Sequence, residues 1–383
     1  MIKRHGATTF ALALGISAVI APNAIASPSA RDASSDAVGG AVYAMTNDAA
    51  GNQVVAYRRA ADGRLSLLGR YDTGGDGTSR TRLSSQGSVL LSEDNRWLFV
   101  TNVGSDELSV FQVLVGGLRL VDVVPSGGDM PNSVTVDGRL VYVLNNGGSG
   151  VGNITGFRQG GNGSLRQISH STRLLSTPGA DPAQVSFSPD GDTLVVTEKA
   201  TNLFDTFAVG RNGRASSAVP HASAGVTPFG FDFTASGEFV VTEATGGIVG
   251  AATASSYSLT GPTPHDVSTV SPVVPDLRTE VCWTVITDDE RFAYVTNFGD
   301  GTISSYAVDP DGAITLHESI AATTSFGEFS VRDHDLSEGG QYLYAIDISS
   351  QKVHGWVVRR NGDLEPIGAF PGLPPTVAGL AAT

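Results

Sequence analysis

A strand, a tight turn and a second strand recur along the whole chain, and this repeat constrains the fold more than any other feature. In the copy at 181–199, Val185 and Phe187 alternate with polar residues, as in a half-buried strand. The turn Ser-Pro-Asp-Gly at 188–191 follows, because proline fixes φ and glycine accepts a positive φ. The second strand has seven copies, at 42–47, 97–102, 140–145, 193–198, 238–243, 292–297 and 342–347.

The composition and spacing of these copies predict a β-propeller. Each copy is followed by a third strand, as at 108–113, 205–210 and 303–308, and then by a turn and an outer strand. Four antiparallel strands that recur every ~40–50 residues are typical of a propeller blade. One blade cannot bury both faces of its sheet, so stacked blades share a core. We therefore predict an all-β, seven-bladed β-propeller with four-stranded blades. A β-solenoid that does not close is the alternative.

The two ends of the repeat series predict how the ring closes. The series begins with a second strand at 41–47, and the segment 375–383 has the pattern of a first strand. We expect both strands in one blade, because this pairing closes the ring and removes exposed sheet edges. No linker interrupts the copies, so residues 41–383 are predicted to form one domain.

The first 26 residues have the pattern of a signal peptide. A basic start at Lys3 and Arg4 precedes an apolar stretch at 10–21 and an A-x-A motif that ends at Ala26. We expect cleavage near Ala26, a flexible linker over 27–40, and a secreted or periplasmic mature protein. The apolar stretch is too short to span a bilayer, so no membrane insertion is expected.

The charge and the cysteine content limit the partners. The formal net charge is −14, which disfavours nucleic acid and anionic lipid as partners. We expect a monomer that binds a small molecule. Cys282 is the only cysteine, so no intrachain disulfide can form. We interpret it as an inert buried residue, since a nucleophilic cysteine needs a neighbouring base that the spacing does not supply.

The Y-V-x-N strand, the D-G-x-L turn and the S-P-D-G turn, repeated seven times, resemble the lactonase family of seven-bladed propellers. That family includes bacterial 6-phosphogluconolactonases and the 3-carboxymuconate lactonising enzymes, and the resemblance extends from Ala41 to the C-terminus. It implies the same fold and a lactonase-type site on the propeller axis. Family members carry an Arg-His pair before the S/H-P-D-G turn and a glutamate after it. This chain has Ala183 and Gln184 at the pair and keeps the glutamate as Glu198.

Two glutamates are the candidate catalytic residues. Glu198 and Glu243 end the second strands of successive copies, so we expect them near the axis in adjacent blades. Two neighbouring carboxylates raise the pKa of one of them, which suits a general acid or base. They could also hold a divalent cation. In the third interpretation they only hydrogen-bond a neighbouring loop, as asparagine does at this position in other copies.

The candidate substrate-binding residues lie on or before the predicted first strands. Tryptophan can stack on a ring, and arginine can hold a carboxylate or an oxyanion. The histidine falls at an inward position, where it is either a hydrogen-bonded core residue or an acid or base. The candidates are Arg80, Arg82, Gln184, Trp283, Arg332, Asp333 and His334. We predict no metal ligands among them, since the chain has no H-E-x-x-H motif and no zinc spacing.

Two classes of function remain open from the sequence. The first is an exported lactonase-like hydrolase or cycloisomerase that acts on a small cyclic ester or organic acid, with Glu198 or Glu243 moving a proton. A divalent cation could assist it, and no other cofactor is indicated. The second is a non-catalytic extracellular propeller that binds a small molecule, a glycan or a protein.

Overall fold

The computed structural model describes residues 38–81, 83–148, 150–259 and 266–383, and their strands form seven antiparallel sheets. The predicted signal peptide, most of the predicted linker and Arg82 lie outside these residues. In chain order the strands are β1 (Val38–Met45), β2 (Gln53–Ala60), β3 (Leu65–Asp72), β4 (Val89–Leu91), β5 (Trp97–Asn102), β6 (Glu107–Leu114), β7 (Gly117–Pro125), β8 (Pro131–Asp137), β9 (Leu140–Asn145), β10 (Asn153–Gln159), β11 (Leu165–Gln167), β12 (Arg173–Leu174), β13 (Pro182–Phe187), β14 (Thr193–Glu198), β15 (Leu203–Ala208), β16 (Val219–Ala222), β17 (Pro228–Phe233), β18 (Glu238–Glu243), β19 (Thr253–Ser258), β20 (Ser268–Pro275), β21 (Val281–Ile286), β22 (Phe292–Asn297), β23 (Thr302–Val308), β24 (Ile314–Thr323), β25 (Val331–Leu336), β26 (Tyr342–Asp347), β27 (Lys352–Val358), β28 (Leu364–Pro371) and β29 (Ala378–Ala382).

Each sheet is one blade, and apart from β29 in blade 1 its strands follow chain order from the inner edge outward. Blade 1 has the order β29-β1-β2-β3, and blade 2 contains β4 to β7. Blade 3 contains β8 to β12, because β11 and β12 both pair with β10 as two pieces of one outer strand. Blades 4, 5, 6 and 7 begin with β13, β17, β21 and β25. The predicted seven-bladed, all-β propeller is confirmed.

The ring closes through the two ends of the chain, as predicted. β1 pairs with β2 on one side and with β29 on the other, where Val42 lies opposite Ala382. The Thr383 hydroxyl also accepts a hydrogen bond of 2.8 Å from the amide of Ala41. These contacts join the first and last strands in one sheet, so the two ends of the chain complete blade 1 together.

The predicted second strands agree with the structure in blades 2 to 7, where the bounds are identical. In blade 1 the strand begins at Val38, inside the segment predicted as linker, and ends at Met45. It ends before Asn47 because that residue has φ 52°, which leaves the strand conformation. β29 begins only at Ala378, after Pro374 and Pro375, which have no amide hydrogen to donate to a ladder.

The hydrophobic core lies between neighbouring blades. One cluster joins Tyr57 of blade 1 to Tyr344 of blade 7, and another joins blades 3 and 4. Second-strand tyrosines also reach the glycine turn of the next blade, since the Tyr344 hydroxyl donates to the carbonyl of Gly63 at 2.6 Å. Tyr142 and Tyr294 make the same contact to Gly213 and Gly362. The recurring glycine turns are therefore contacts between blades as well as chain reversals.

The one helical turn among the described residues is a 3-10 turn at Thr245–Gly247, in the loop between β18 and β19. No helix in this part of the chain has the length and hydropathy needed to cross a membrane.

Candidate functional site

The loops at one end of the ring form the candidate site. In these antiparallel blades the loops between second and third strands, and those between successive blades, lie at the same end. We call this end the top face. A cavity of about 250 Å³ opens on it, lined by loops of blades 4 to 7 and by the segment that precedes β4. We call it the top-face cavity.

Aromatic side chains form one wall of the top-face cavity. The rings of Phe229 and Trp283 lie 5.0 Å apart, and those of Trp283 and Phe298 lie 6.4 Å apart. Cys282 lies beside them and is buried. Mostly apolar walls with a few polar groups are typical of small-molecule sites.

Lys199 brings a positive charge to the cavity and is held on several sides. Its Nζ donates to the carbonyl oxygens of Ser84 at 2.7 Å and Pro182 at 3.2 Å. Nζ also lies 3.4 Å from a carboxylate oxygen of Asp181 and 5.2 Å from the ring centroid of Phe229. Burial lowers the pKa of Lys199, and the Asp181 charge opposes that shift. These contacts position the ammonium group at the cavity wall.

Arg332 and Glu280 also line the cavity. Arg332 is only 2% exposed, and its guanidinium lies 5.6 Å from the ring centroid of Phe298 and donates to the carbonyl of Val377 at 3.3 Å. Glu280 is half-buried in the loop that precedes β21, and its carboxylate has no hydrogen-bond or ion-pair partner among the described residues. With Lys199 and Asp181, the lining therefore holds two cations and two carboxylates.

The segment 84–88 reaches across the ring to blades 4 and 6, and the amide of Gln86 donates to the carbonyl of Ala183 at 3.1 Å. It leads into blade 2, yet Gln86 donates to the carbonyl of Thr284 in blade 6 at 2.7 Å and accepts from the amide of Thr284 at 3.0 Å. The Trp283 indole donates to the carbonyl of Ser85 at 2.8 Å. The crossing is possible because Gly230 has no side chain, since a Cβ there would overlap Gln86 Oε1.

Gln184 belongs to a set of polar residues that satisfy the inner strands. Each inner strand has a sheet neighbour on one side only, so backbone groups on its other side need partners. Gln184 Nε2 donates to the carbonyl of Phe231 at 2.9 Å, and Gln184 Oε1 accepts from the amide of Phe231 at 2.8 Å. Asp232 and Asp335 accept from the amides of Ile286 and Ala382 in the same way. Gln184 does not line the top-face cavity.

Glu198 and Glu243 point into their own blades and do not line the top-face cavity. The Glu198 carboxylate accepts from the Thr201 hydroxyl at 2.6 Å, and burial, with Asp205 adding to it, raises the pKa of Glu198 to about 8. Glu243 accepts from the amide of Gly225 at 2.9 Å and from the Thr253 hydroxyl at 2.5 Å. These contacts are of the kind that asparagine makes at this position in other blades. The structure does not bring the two carboxylates together with Arg332.

Asp333 and His334 are buried beside Arg332, outside the cavity lining. Burial, with Asp335 adding to it, raises the pKa of Asp333 well above its usual range. Burial lowers the pKa of His334 to about 4, so its imidazole is neutral. His334 Nε2 lies 3.0 Å from the carbonyl oxygen of Tyr294 in the neighbouring blade, which can accept a hydrogen bond from it. His334 thus has the contacts of a core histidine.

Arg80 lines a second, polar cavity of about 230 Å³ on the top face. Leu83, Ser84 and Asp181 line both cavities and form the ridge between them. Arg80 is exposed in this second cavity and does not line the first. Of the other predicted binding residues, Trp283 and Arg332 line the top-face cavity.

The described residues contain one group of three side chains placed to share a metal ion, His317, Glu318 and Asp363. All three are exposed on blades 6 and 7, and none lines the top-face cavity. Exposed acidic groups of this kind are common without an ion, so we assign no metal to them.

The sequence did not single out Lys199, Phe229, Phe298 or Ser84 as site residues. Lys199 follows Glu198 directly, and side chains of successive strand residues point to opposite sides. A glutamate that points into the blade therefore signals that its neighbour can point out of it. Glu280 is a charged residue directly before the first strand β21.

Comparisons with known proteins agree with this architecture. The sequence profile of a family described as "Lactonase, 7-bladed beta-propeller" matches residues 43–176 and 253–378, which is more than half of the chain. The stretch between these matches, 177–252, contains blade 4 and the two inner strands of blade 5. No curated protein sequence matches the chain significantly.

Several solved structures share the fold at low sequence identity. A candidate 6-phosphogluconolactonase from Bacteroides uniformis is 17% identical, with a TM-score of 0.70, over 89% of this chain and 99% of that one. A periplasmic gluconolactonase from Pseudomonas aeruginosa is 18% identical, with a TM-score of 0.69, over 89% of this chain and 98% of that one. A protein from Lactobacillus plantarum is 16% identical, with a TM-score of 0.68 and the same two coverages.

Proposed function

The chain belongs to the seven-bladed β-propeller lactonase family, and on this basis we propose that it hydrolyses a small uncharged lactone in the top-face cavity. The observation that carries the proposal is that Arg332 and an unpartnered carboxylate, Glu280, line the same aromatic cavity. The two cations and two carboxylates of the lining balance each other, which suits a neutral ring better than a phosphorylated sugar.

The proposed reaction uses these groups in distinct roles. Glu280 accepts a proton from a water molecule, and the resulting hydroxide attacks the lactone carbonyl carbon. The guanidinium of Arg332 donates to the oxyanion that develops on the carbonyl oxygen. The ring C–O bond then breaks, and the proton on Glu280 passes to the leaving alkoxide. The product is a hydroxy acid, and Glu280 returns to its starting state.

A pH-indicator assay on a panel of γ- and δ-lactones tests this proposal, with and without added calcium, magnesium or manganese. Glu280→Gln removes the base but preserves shape, so we expect kcat to fall by about 100-fold or more. Arg332→Gln should lower kcat by a similar factor. Glu93→Gln, an exposed glutamate in the turn between β4 and β5, is the matched control and should retain full activity. Full activity in Glu280→Gln would contradict the proposed role.

One observation favours a non-catalytic binding protein as the second candidate. Gln184 stands where family members carry a histidine, and both ends of its amide are used by Phe231. No titratable group is therefore available at that point of the axis. If no lactone in the panel is hydrolysed, but lactones raise the melting temperature of the wild-type protein and not of Arg332→Gln, the cavity binds without catalysis.

A further inference from the structure

Large apolar side chains are exposed on one sector of the top face. Val249 is 84% exposed and Phe326 is 67% exposed, and each lies in a loop. We call this set the apolar rim. Its members are Val226, Ile248, Val249, Leu277, Phe326 and Phe329. Contiguous exposed apolar groups on a soluble domain commonly mark a binding site.

The apolar rim is continuous with the top-face cavity. The ring of Phe329 lies 5.7 Å from that of Phe298, which lines the cavity. Gly246 and Gly247 line the cavity, and Ile248 and Val249 follow them directly in the same loop. The path from the aromatic wall to the outer surface is therefore apolar along two loops.

The rest of the top face is different. The described loops that lead into or lie within blades 1 to 4 expose no large apolar side chain there. They carry Arg80, Asn132 and Asn146 around the second, polar cavity. Val115 lies in a turn at the opposite end of the ring, and Leu174, at the top end of the outer strand β12, is a single exposed apolar residue in blade 3. The apolar rim thus lies in the same sector of the top face as Phe229, Trp283 and Phe298.

We propose that the ligand of this site carries an apolar alkyl or acyl chain, with its polar ring in the top-face cavity and its chain across the apolar rim. The assignment deepens the proposed function and rests on it for the identity of the ring. The balanced charge of the cavity lining suits an uncharged ring, and the rim offers the chain a surface on which it leaves water. Each methylene covered in this way should raise kcat/KM about 3- to 4-fold, until the chain extends beyond the rim.

The test is hydrolysis of γ-lactones that share one ring and differ in side-chain length, from γ-valerolactone to γ-dodecalactone, at concentrations below aggregation. We expect kcat/KM to rise about 10-fold or more between the shortest and the longest chains. The double variant Ile248→Ser/Val249→Ser should lose most of this rise while its kcat/KM on γ-valerolactone stays at the wild-type value. Val115→Ser removes a side chain that is 94% exposed outside the top face and should behave as wild type.

The outcomes separate this inference from the proposed function. Equal kcat/KM for all chain lengths overturns the apolar chain but leaves the lactonase. A chain-length preference that Ile248→Ser/Val249→Ser does not reduce overturns the placement on the rim. If no lactone is hydrolysed, the lactonase fails, and calorimetric binding of butyrate, octanoate and decanoate then decides. Affinity that rises with chain length and falls in the double variant supports the rim, whereas equal affinities overturn it.

Discussion

Replacement of Gln184 by leucine should destabilise the ring, because this side chain satisfies two backbone groups of the next blade. Gln184 is buried, and its amide makes hydrogen bonds of 2.9 and 2.8 Å to the carbonyl and the amide of Phe231. Leucine has a similar volume and leaves both groups without that partner. A buried backbone group that loses its hydrogen bond costs about 1–3 kcal/mol, so the free energy of unfolding should fall by about 2–6 kcal/mol.

The same loss can be expressed as a change in melting temperature. About 350 folded residues, at about 2.1 cal/mol/K each, give an unfolding entropy near 0.7 kcal/mol/K. The melting temperature of Gln184→Leu should therefore lie about 3–8 °C below that of the wild type. Differential scanning calorimetry measures this shift directly. Urea unfolding gives an independent value of the free energy if the transition is two-state.

The matched control is Gln167→Leu, because Gln167 is exposed on β11 and its side chain has no partner among the described residues. We expect its melting temperature within about 1 °C of the wild type, since surface changes of this kind are small. If Gln184→Leu melts at or above the wild-type temperature, the amide does not satisfy the inner strand. The interpretation of the axial polar residues as partners of strand edges would then be refuted.

Three further predictions address other buried groups. Gly230→Ala should lower the free energy of unfolding by about 2–4 kcal/mol in urea, because its Cβ would overlap Gln86 and lie 2.6 Å from the carbonyl oxygen of Cys282. Burial raises the pKa of Glu198 in the folded protein to about 8, so the protonated carboxyl stabilises the fold at low pH and this contribution is lost as the pH rises through that value. The melting temperature of the wild type should therefore fall between about pH 5 and pH 9, and Glu198→Gln should make this fall smaller. Lost lactone turnover in Glu198→Gln, with an unchanged melt, would instead support a catalytic role. Asp276→Asn should flatten the same curve between about pH 4 and pH 7, because burial raises the pKa of Asp276 to about 7.

The fold could be predicted because its determinants are local in sequence. Period-two alternation and turn chemistry define each hairpin, and the bounds of β14, predicted at 193–198, are those of the structure. The repeat then supplies the number of blades, and the pattern at 375–383 supplies the closure with β29. None of these steps needs knowledge of a side-chain direction at a strand end.

The site could be predicted only in part, because it depends on directions and crossings that the repeat does not encode. Trp283 and Arg332 were named from their positions on first strands, and both line the top-face cavity. A register shift between Pro182 and Gln184 changes which side chains of β13 face the axis, and no sequence pattern marks it. The contact of Gln86 with Thr284 joins residues 198 positions apart. Such long-range pairs leave no periodic signal.

The axial polar residues show why polarity alone is weak evidence for a site in a propeller. Every inner strand has one unpaired edge, so glutamine, aspartate or serine is needed along the axis whether or not a ligand binds. Gln184, Asp232 and Asp335 are each used in this way. The informative polar groups are those that line the cavity without such a partner, and Glu280 is one. It lies next to the apolar rim and not on the axial ring, so the chemistry and the ligand preference of this propeller should both be sought on the top loops of blades 5 to 7.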